Sequence, residues 1–210
     1  MIDKHFITSK FSYWFIKRFM DIVFSIILSI VLSPLLLVIA LLIMISNGFP
    51  IFYKCQWHGI QGKRFIGYKF RTMYRNAHSE RKILQHLNEM TGPVFKISND
   101  PRIIKFGKLI RRYSLDELPQ IYSVLKGDMS FIGPRPAMID DYSQYEDWHH
   151  KRLSIVPGIS CLWQVSGRNE IDNFDDWVKL DLKYIDNWSL VLDTKIFFKT
   201  ILVVLRGTGK

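Results

Sequence analysis

Ile22-Val23-Phe24-Ser25-Ile26-Ile27-Leu28-Ser29-Ile30-Val31-Leu32-Ser33-Pro34-Leu35-Leu36-Leu37-Val38-Ile39-Ala40-Leu41-Leu42-Ile43-Met44-Ile45 is a run of 24 residues with no formal charge and a proline at its middle. As one helix it would be ~36 Å long, enough to cross a ~30 Å hydrocarbon core; broken at Ser33-Pro34, each half reaches only ~18 Å. Lys4, Lys10, Lys17 and Arg18 precede the run, and Lys54, Lys63, Arg64, Lys69, Arg71 and Arg75 follow it. Basic flanks favour the cytoplasmic side of a bilayer, so a straight span would leave one cluster on the unfavourable face. A helix that enters, turns at Ser33-Pro34 and leaves by the same face satisfies both. A kinked single span is the alternative, because membrane helices tolerate proline. Asp21, Ser25, Ser29 and Ser33 recur at every fourth residue, a small polar stripe that a hairpin would turn toward its second half. The apolar run is too long for a cleaved signal peptide, and no small-residue cleavage site follows it.

This divides the chain into residues 1–48, a basic lead-in and re-entrant membrane helix, and residues 49–210, one compact cytosolic domain. The net charge of +10 suits anionic headgroups, phosphorylated substrates or nucleic acid. No nucleic-acid module is present, so that last partner is set aside. Cys55 and Cys161 lack metal-ligand spacing and read as reduced thiols. Arg102, Lys105, Lys108 and Arg111, interleaved with Ile103, Ile104, Leu109 and Ile110, predict an amphipathic helix with a cationic stripe. Such a helix would lie on a bilayer surface, present cations to phosphates, or simply face solvent. Punctuation predicts a basic amphipathic lead-in over 6–20, short strands or extended turns within 51–72, and helices near 74–90, 102–112, 117–126, 137–152 and 174–184. The stretch Leu190–Leu205 reads as a buried or interfacial helix. The fold class expected is α/β, mostly helical, with a membrane hairpin and interfacial amphipathic helices.

Arg111-Arg112-Tyr113-Ser114-Leu115-Asp116-Glu117-Leu118-Pro119-Gln120 carries the most chemistry. Pro119 belongs in a first helical turn, which puts Asp116 at or near an N-cap with Glu117 just inside. A helix start keeps carboxylates ionised and suits an adjacent metal-phosphate group. Ser114 with Glu117 three residues on also matches a capping box, a purely structural use of the same residues. Arg135, braced by Pro134 and Pro136, leaves a rigid backbone suited to bidentate phosphate binding, or to an internal carboxylate. Arg168 follows Gly167 in a second turn-rich segment. Trp163 nearby would stack on a base or sugar, or serve the core. Adjacent His149 and His150 point apart on a helix and read as surface residues.

These motifs, in order, resemble the bacterial sugar transferase family, the monotopic phosphoglycosyl transferases. The resemblance runs through Lys17-Arg18 with Asp21, Ser33-Pro34, Lys69-Phe70-Arg71-Thr72-Met73, Gly92-Pro93-Val94-Phe95-Lys96 and Asp100-Pro101-Arg102. It continues through Ser114 to Gln120, Gly127-Asp128-Met129-Ser130, Gly133-Pro134-Arg135-Pro136 and Pro157-Gly158-Ile159, with Cys161-Leu162-Trp163 a small departure. It implies transfer of a sugar 1-phosphate from a UDP-sugar to undecaprenyl phosphate with release of UMP, the first membrane step of exopolysaccharide, O-antigen, capsule or glycoconjugate synthesis. It implies Asp116 as the nucleophile of a covalent phosphosugar intermediate, with Glu117 handling Mg²⁺ or a proton. Asp116 and Glu117 together would hold Mg²⁺, a fitting number of carboxylates for that ion. Arg135, Arg168, Arg112 and Arg71 are the implied phosphate contacts. Residues 162–169 with Trp188-Ser189-Leu190 resemble members transferring hexose 1-phosphates such as galactose or glucose. The implied location is the bacterial inner membrane with the catalytic domain on its cytoplasmic face; self-association is left open. Two other classes stand beside this one: an inactive membrane-anchored scaffold of a polysaccharide assembly complex, and a polytopic-type transferase without a covalent step, which would need several spans.

Overall fold

The computed structural model describes residues 11–168 and 170–209, so part of the lead-in expected over 6–20 lies outside the described residues. Helices α1 (Phe11–Val31) and α2 (Ser33–Asn47) are followed by strands β1 (Phe52–His58) and β2 (Arg64–Phe70). The described lead-in and the first half of the apolar run are thus one continuous helix. The break falls at Leu32, with Pro34 in the first turn of α2 where its missing N–H costs nothing. The two helices are bent by 62°, and no single described helix is long and apolar enough to cross a membrane.

The bend is too open for α2 to cover the polar stripe. Asp21 and Ser25 are buried, but Asp21 Oδ1 accepts from the Phe131 N–H at 3.2 Å, so the lower stripe faces the rest of the protein rather than α2. The Ser25 hydroxyl has no protein partner, and Ser33 at the top is exposed. Two flanking cations behave likewise. Lys17 Nζ donates to the Ile132 carbonyl at 2.9 Å and pairs with Asp193 at 2.5 Å. Arg18 donates to the carbonyls of Val124 and Leu125 at 2.5 and 2.8 Å. Both are spent on internal acceptors and count little toward a headgroup-facing flank. Outward, Phe15, Phe19, Ile27, Ile30, Leu37 and Leu41 leave a broad apolar surface open.

Strands form where expected within 51–72. β1 and β2 pair antiparallel from Phe52–Phe70 to His58–Arg64, and β1 also pairs with β4 (Ala137–Met138). Gly67 is required there, because a Cβ would stand 2.1 Å from the Trp57 ring. β3 (Ser130–Ile132) runs parallel to β5 (Gly158–Ser160), and a Cβ on Gly158 would meet the Gly133 nitrogen at 2.1 Å. That close crossing fixes where the chain leaves β3 toward Arg135.

Several helices are shorter than the sequence suggests. Residues 74–90 hold only 3-10 turns at Ser79–Arg81 and Ile83–Leu87. α3 is Lys105–Arg112, and α4 is Ile121–Lys126. Residues 137–152 divide into β4, the single turn α5 (Ile139–Tyr142) and a 3-10 turn at His149–Ser154. The cationic stripe is broken: Arg102 precedes α3, is buried, and closes on Asp100 at 2.5 and 2.9 Å, while Lys105 and Lys108 stay exposed. His149 is also buried, its Nε2 3.0 Å from Asp175 Oδ1 and its ring packed against Tyr145, Trp148 and Phe174, while His150 is half-buried. α6 (Phe174–Asp186), capped by Asn173, and α7 (Leu190–Arg206), capped by Ser189, match expectation closely. Cys55 and Cys161 are free and buried.

Candidate active site

Asp116 and Glu117 lie in a 3-10 turn, Leu115–Gln120, rather than at the cap of an α-helix; α4 begins only at Ile121. Pro119 lies inside this turn. Ser114 before it adopts a left-handed backbone, φ 54°, instead of the extended conformation of an ordinary cap. No capping box forms. The Ser114 hydroxyl accepts instead from Arg168 Nη1 at 3.0 Å, and Glu117 turns toward Lys69. Arg168 too has positive φ, 26°, so two residues held in strained backbone meet at this point.

Lys69 Nζ lies 2.5 Å from Glu117 Oε1, and Arg135 Nη2 stands 4.0 Å from the same oxygen. β2 brings Lys69 here because the strand packs directly on the 3-10 turn. Arg111, at the end of α3, donates from Nε to Thr72 Oγ1 at 2.9 Å. With Asp116, Glu117, Arg135 and Arg168, these cations line one cleft of about 380 Å³ that Trp163 and Trp177 also border. Trp163 serves the core, as one of its two expected uses had it. It packs on Trp177 with centroids 4.0 Å apart and carries the Arg135 guanidinium 5.6 Å above its ring.

The two carboxyls titrate apart. Burial pushes Asp116 up; Lys69 opposes this, and the neighbouring Glu117 charge adds to it. Burial would raise Glu117 as well, but the Lys69 charge and hydrogen bond together with Arg135 outweigh it and hold Glu117 well below the usual range. Such divergence is how adjacent acids acquire different roles.

Two expected phosphate contacts are placed elsewhere. Arg71 borders the cleft, yet its guanidinium is committed to the carbonyls of Asn47 and Gly48, both at 2.6 Å, and Phe49 at 3.2 Å, where α2 passes into β1. Arg112 is exposed, lies over Tyr113, and does not border the cleft. Lys69 and Arg111 also line the cleft, and neither was among the expected phosphate contacts. Lys69 stood out in the sequence only as one of the basic residues after the apolar run and as the start of the Lys69–Met73 motif, and nothing local says that it meets residue 117.

Asp116 and Glu117 fit a Mg²⁺ ion: two adjacent carboxylates, one firmly ionised, in an accessible cleft. Among the described residues no cluster of three or more His, Cys, Asp or Glu side chains is arranged for a metal. A donor set of one or two carboxylates suits an ion that completes its shell with water and phosphate oxygens.

A galactosyl transferase CpsE of Streptococcus agalactiae is 46% identical over 200 residues, covering 95% of this chain and 44% of its own length. An undecaprenyl-phosphate galactose phosphotransferase of Salmonella typhimurium is 44% identical over 206 residues, covering 93% and 41%. A UDP-N-acetylgalactosamine-undecaprenyl-phosphate N-acetylgalactosaminephosphotransferase of Aeromonas hydrophila is 39% identical over 202 residues, covering 94% and 45%. The chain therefore spans less than half the length of each of these relatives. The family model described as Bacterial sugar transferase matches residues 12–207, from the first described turn of α1 to the end of α7. With the bent helix pair, the carboxylate pair and the cleft cations all inside that match, the chain belongs to the bacterial sugar transferase family.

Proposed function

We propose that this protein transfers a sugar 1-phosphate from a UDP-sugar to undecaprenyl phosphate, releasing UMP, through a covalent intermediate on Asp116. One observation carries the reading: a buried Asp-Glu pair whose acids titrate in opposite directions, facing cations in one cleft of a chain with a bent, outwardly apolar helix pair.

A diphosphate entering this cleft meets Lys69, Arg111, Arg135 and Arg168, which neutralise its charge and orient it. An Asp116 carboxylate oxygen attacks the sugar-linked phosphorus. The new Asp–O–P bond forms as the bond to the bridging oxygen breaks, and that oxygen leaves on UMP. An oxygen of the lipid phosphate then attacks the same phosphorus, and Asp116 departs as carboxylate. Glu117, ionised by its cations, keeps Lys69 and Arg135 directed at the reacting group. Mg²⁺ held by Asp116 and Glu117 would supply charge neutralisation at the phosphate oxygens. Two displacements at one carboxylate give ping-pong kinetics.

The lipid acceptor gives the bent helices their use. A polyprenyl phosphate keeps its tail in hydrocarbon and its phosphate at the surface, so the enzyme needs seating at headgroup depth on the cytoplasmic face rather than passage across. The exposed apolar faces of α1 and α2 support this re-entrant seating. Relatives named for galactose transfer favour galactose 1-phosphate, and the N-acetylgalactosamine relative makes that sugar the first competitor. The test is UMP release across a panel of UDP-sugars with undecaprenyl phosphate. Release with UDP-galactose above the others is expected; no release with any donor contradicts the assignment and favours an inactive scaffold.

A further inference from the structure

The peptide after Arg135 is held by a buried charge. Arg152, 2% exposed, donates from Nη2 to the Arg135 carbonyl at 3.1 Å, and the same nitrogen closes on Asp181 Oδ2. Its Nη1 donates to the Tyr145 hydroxyl at 3.2 Å, and its guanidinium lies 5.6 Å from the Phe174 ring centroid. Asp181, on α6, is 1% exposed, and its Oδ1 has no protein partner.

Stability alone does not account for this pair. Desolvating two charges costs several kcal/mol, and packed aliphatics of similar volume often serve a core as well or better. An ion pair offers directed donors, and here one of them ends on the main chain of a residue lining the cleft. Pro134 and Pro136 limit the backbone on each side of Arg135, so the segment moves as one rigid piece. The carbonyl anchor fixes the remaining freedom of that piece. The Arg135 side chain then leaves it over Trp163 toward Glu117.

We propose that Arg152 and Asp181 are positioning residues that hold the Arg135 main chain so that its guanidinium meets phosphate in the cleft. This rests on reading Arg135 as a phosphate contact. Pyrophosphate titrated onto the full chain in detergent micelles provides the test, read as Kd. Asp181→Asn is expected to weaken binding about tenfold when Arg135 is present and less than about twofold in an Arg135→Ala background, because coupled residues do not add. The same factor in both backgrounds overturns the proposal, as does a wild-type protein that does not bind pyrophosphate. Arg152→Lys keeps the charge but loses the forked donor; it should reproduce the pattern, and it carries the test if melting curves show Asp181→Asn unfolded. UMP release by the wild type is scored separately. Release without the coupled pattern removes only the positioning role, and the pattern without release removes only the transferase reading.

Discussion

Asp116 and Glu117 are neighbours in sequence, yet their surroundings push their ionisation in opposite directions. Glu117 is clasped by Lys69 and stays ionised; Asp116 is the acid whose burial outweighs its nearby cations. Because the folded state raises Asp116, it holds that proton more tightly than the unfolded chain does. The favourable contribution of the protonated form is therefore present at low pH and lost as pH rises through the raised value. Asp116→Asn should then fold at least as firmly as wild type at neutral pH, while turnover falls by about 10³-fold or more. A melting temperature beside a rate checks both, and a large drop in stability with activity retained counts against the assignment. A nucleophile must be ionised, so kcat/KM should climb with pH on an acid limb whose midpoint lies above the ordinary aspartate value of ~3.9 and belongs to the coupled pair. A flat profile through that region contradicts the role.

At the scale of elements, α1 is fastened as firmly to the globular part as it is bare toward the outside. Lys17, reached by Asp193, sits in a knot where Tyr184 donates to Asp193 Oδ1 at 2.7 Å and Trp188 Nε1 donates to Oδ2 at 3.3 Å. Lys17→Ala should cost about 3–5 kcal/mol in urea unfolding, by leaving the Asp193 carboxylate buried beside a lost partner. Pairing Lys17→Met with Asp193→Leu should recover most of that loss; a single change costing less than about 1 kcal/mol would show the knot to be wet and weak. This knot was not legible beforehand. Lys17 and Arg18 look like a headgroup-facing flank because sequence shows charge but not the carbonyls of Ile132, Val124 and Leu125 that take it up. The break at Ser33-Pro34 and the short strands within 51–72 were legible, since proline and turn punctuation are local signals. Arg102 and Arg71 were misleading for the opposite reason, as each is consumed by a partner that only the fold brings near.

For the whole molecule, the proposed transfer requires one face of the bent helix pair to meet lipid while the charged cleft stays within reach of soluble nucleotide sugar. Single cysteines at Lys10 and Lys54 test the geometry, the natural Cys55 and Cys161 being buried. A membrane-impermeant maleimide should label both positions from the cytoplasmic face only; labelling from opposite faces would establish a kinked span. The cleft itself was half-legible: Asp116, Glu117, Arg135 and Arg168 could be picked from sequence, whereas Lys69 reaches Glu117 only because β2 packs on the Leu115–Gln120 turn. The decisive measurement is peptide mass analysis after rapid quenching with UDP-galactose in the absence of lipid phosphate. A mass increase of one hexose phosphate on the peptide bearing Asp116, removed by adding undecaprenyl phosphate and absent in Asp116→Asn, is the expected result. Transfer to lipid at full rate with no such adduct, and undiminished in Asp116→Asn, would contradict the account.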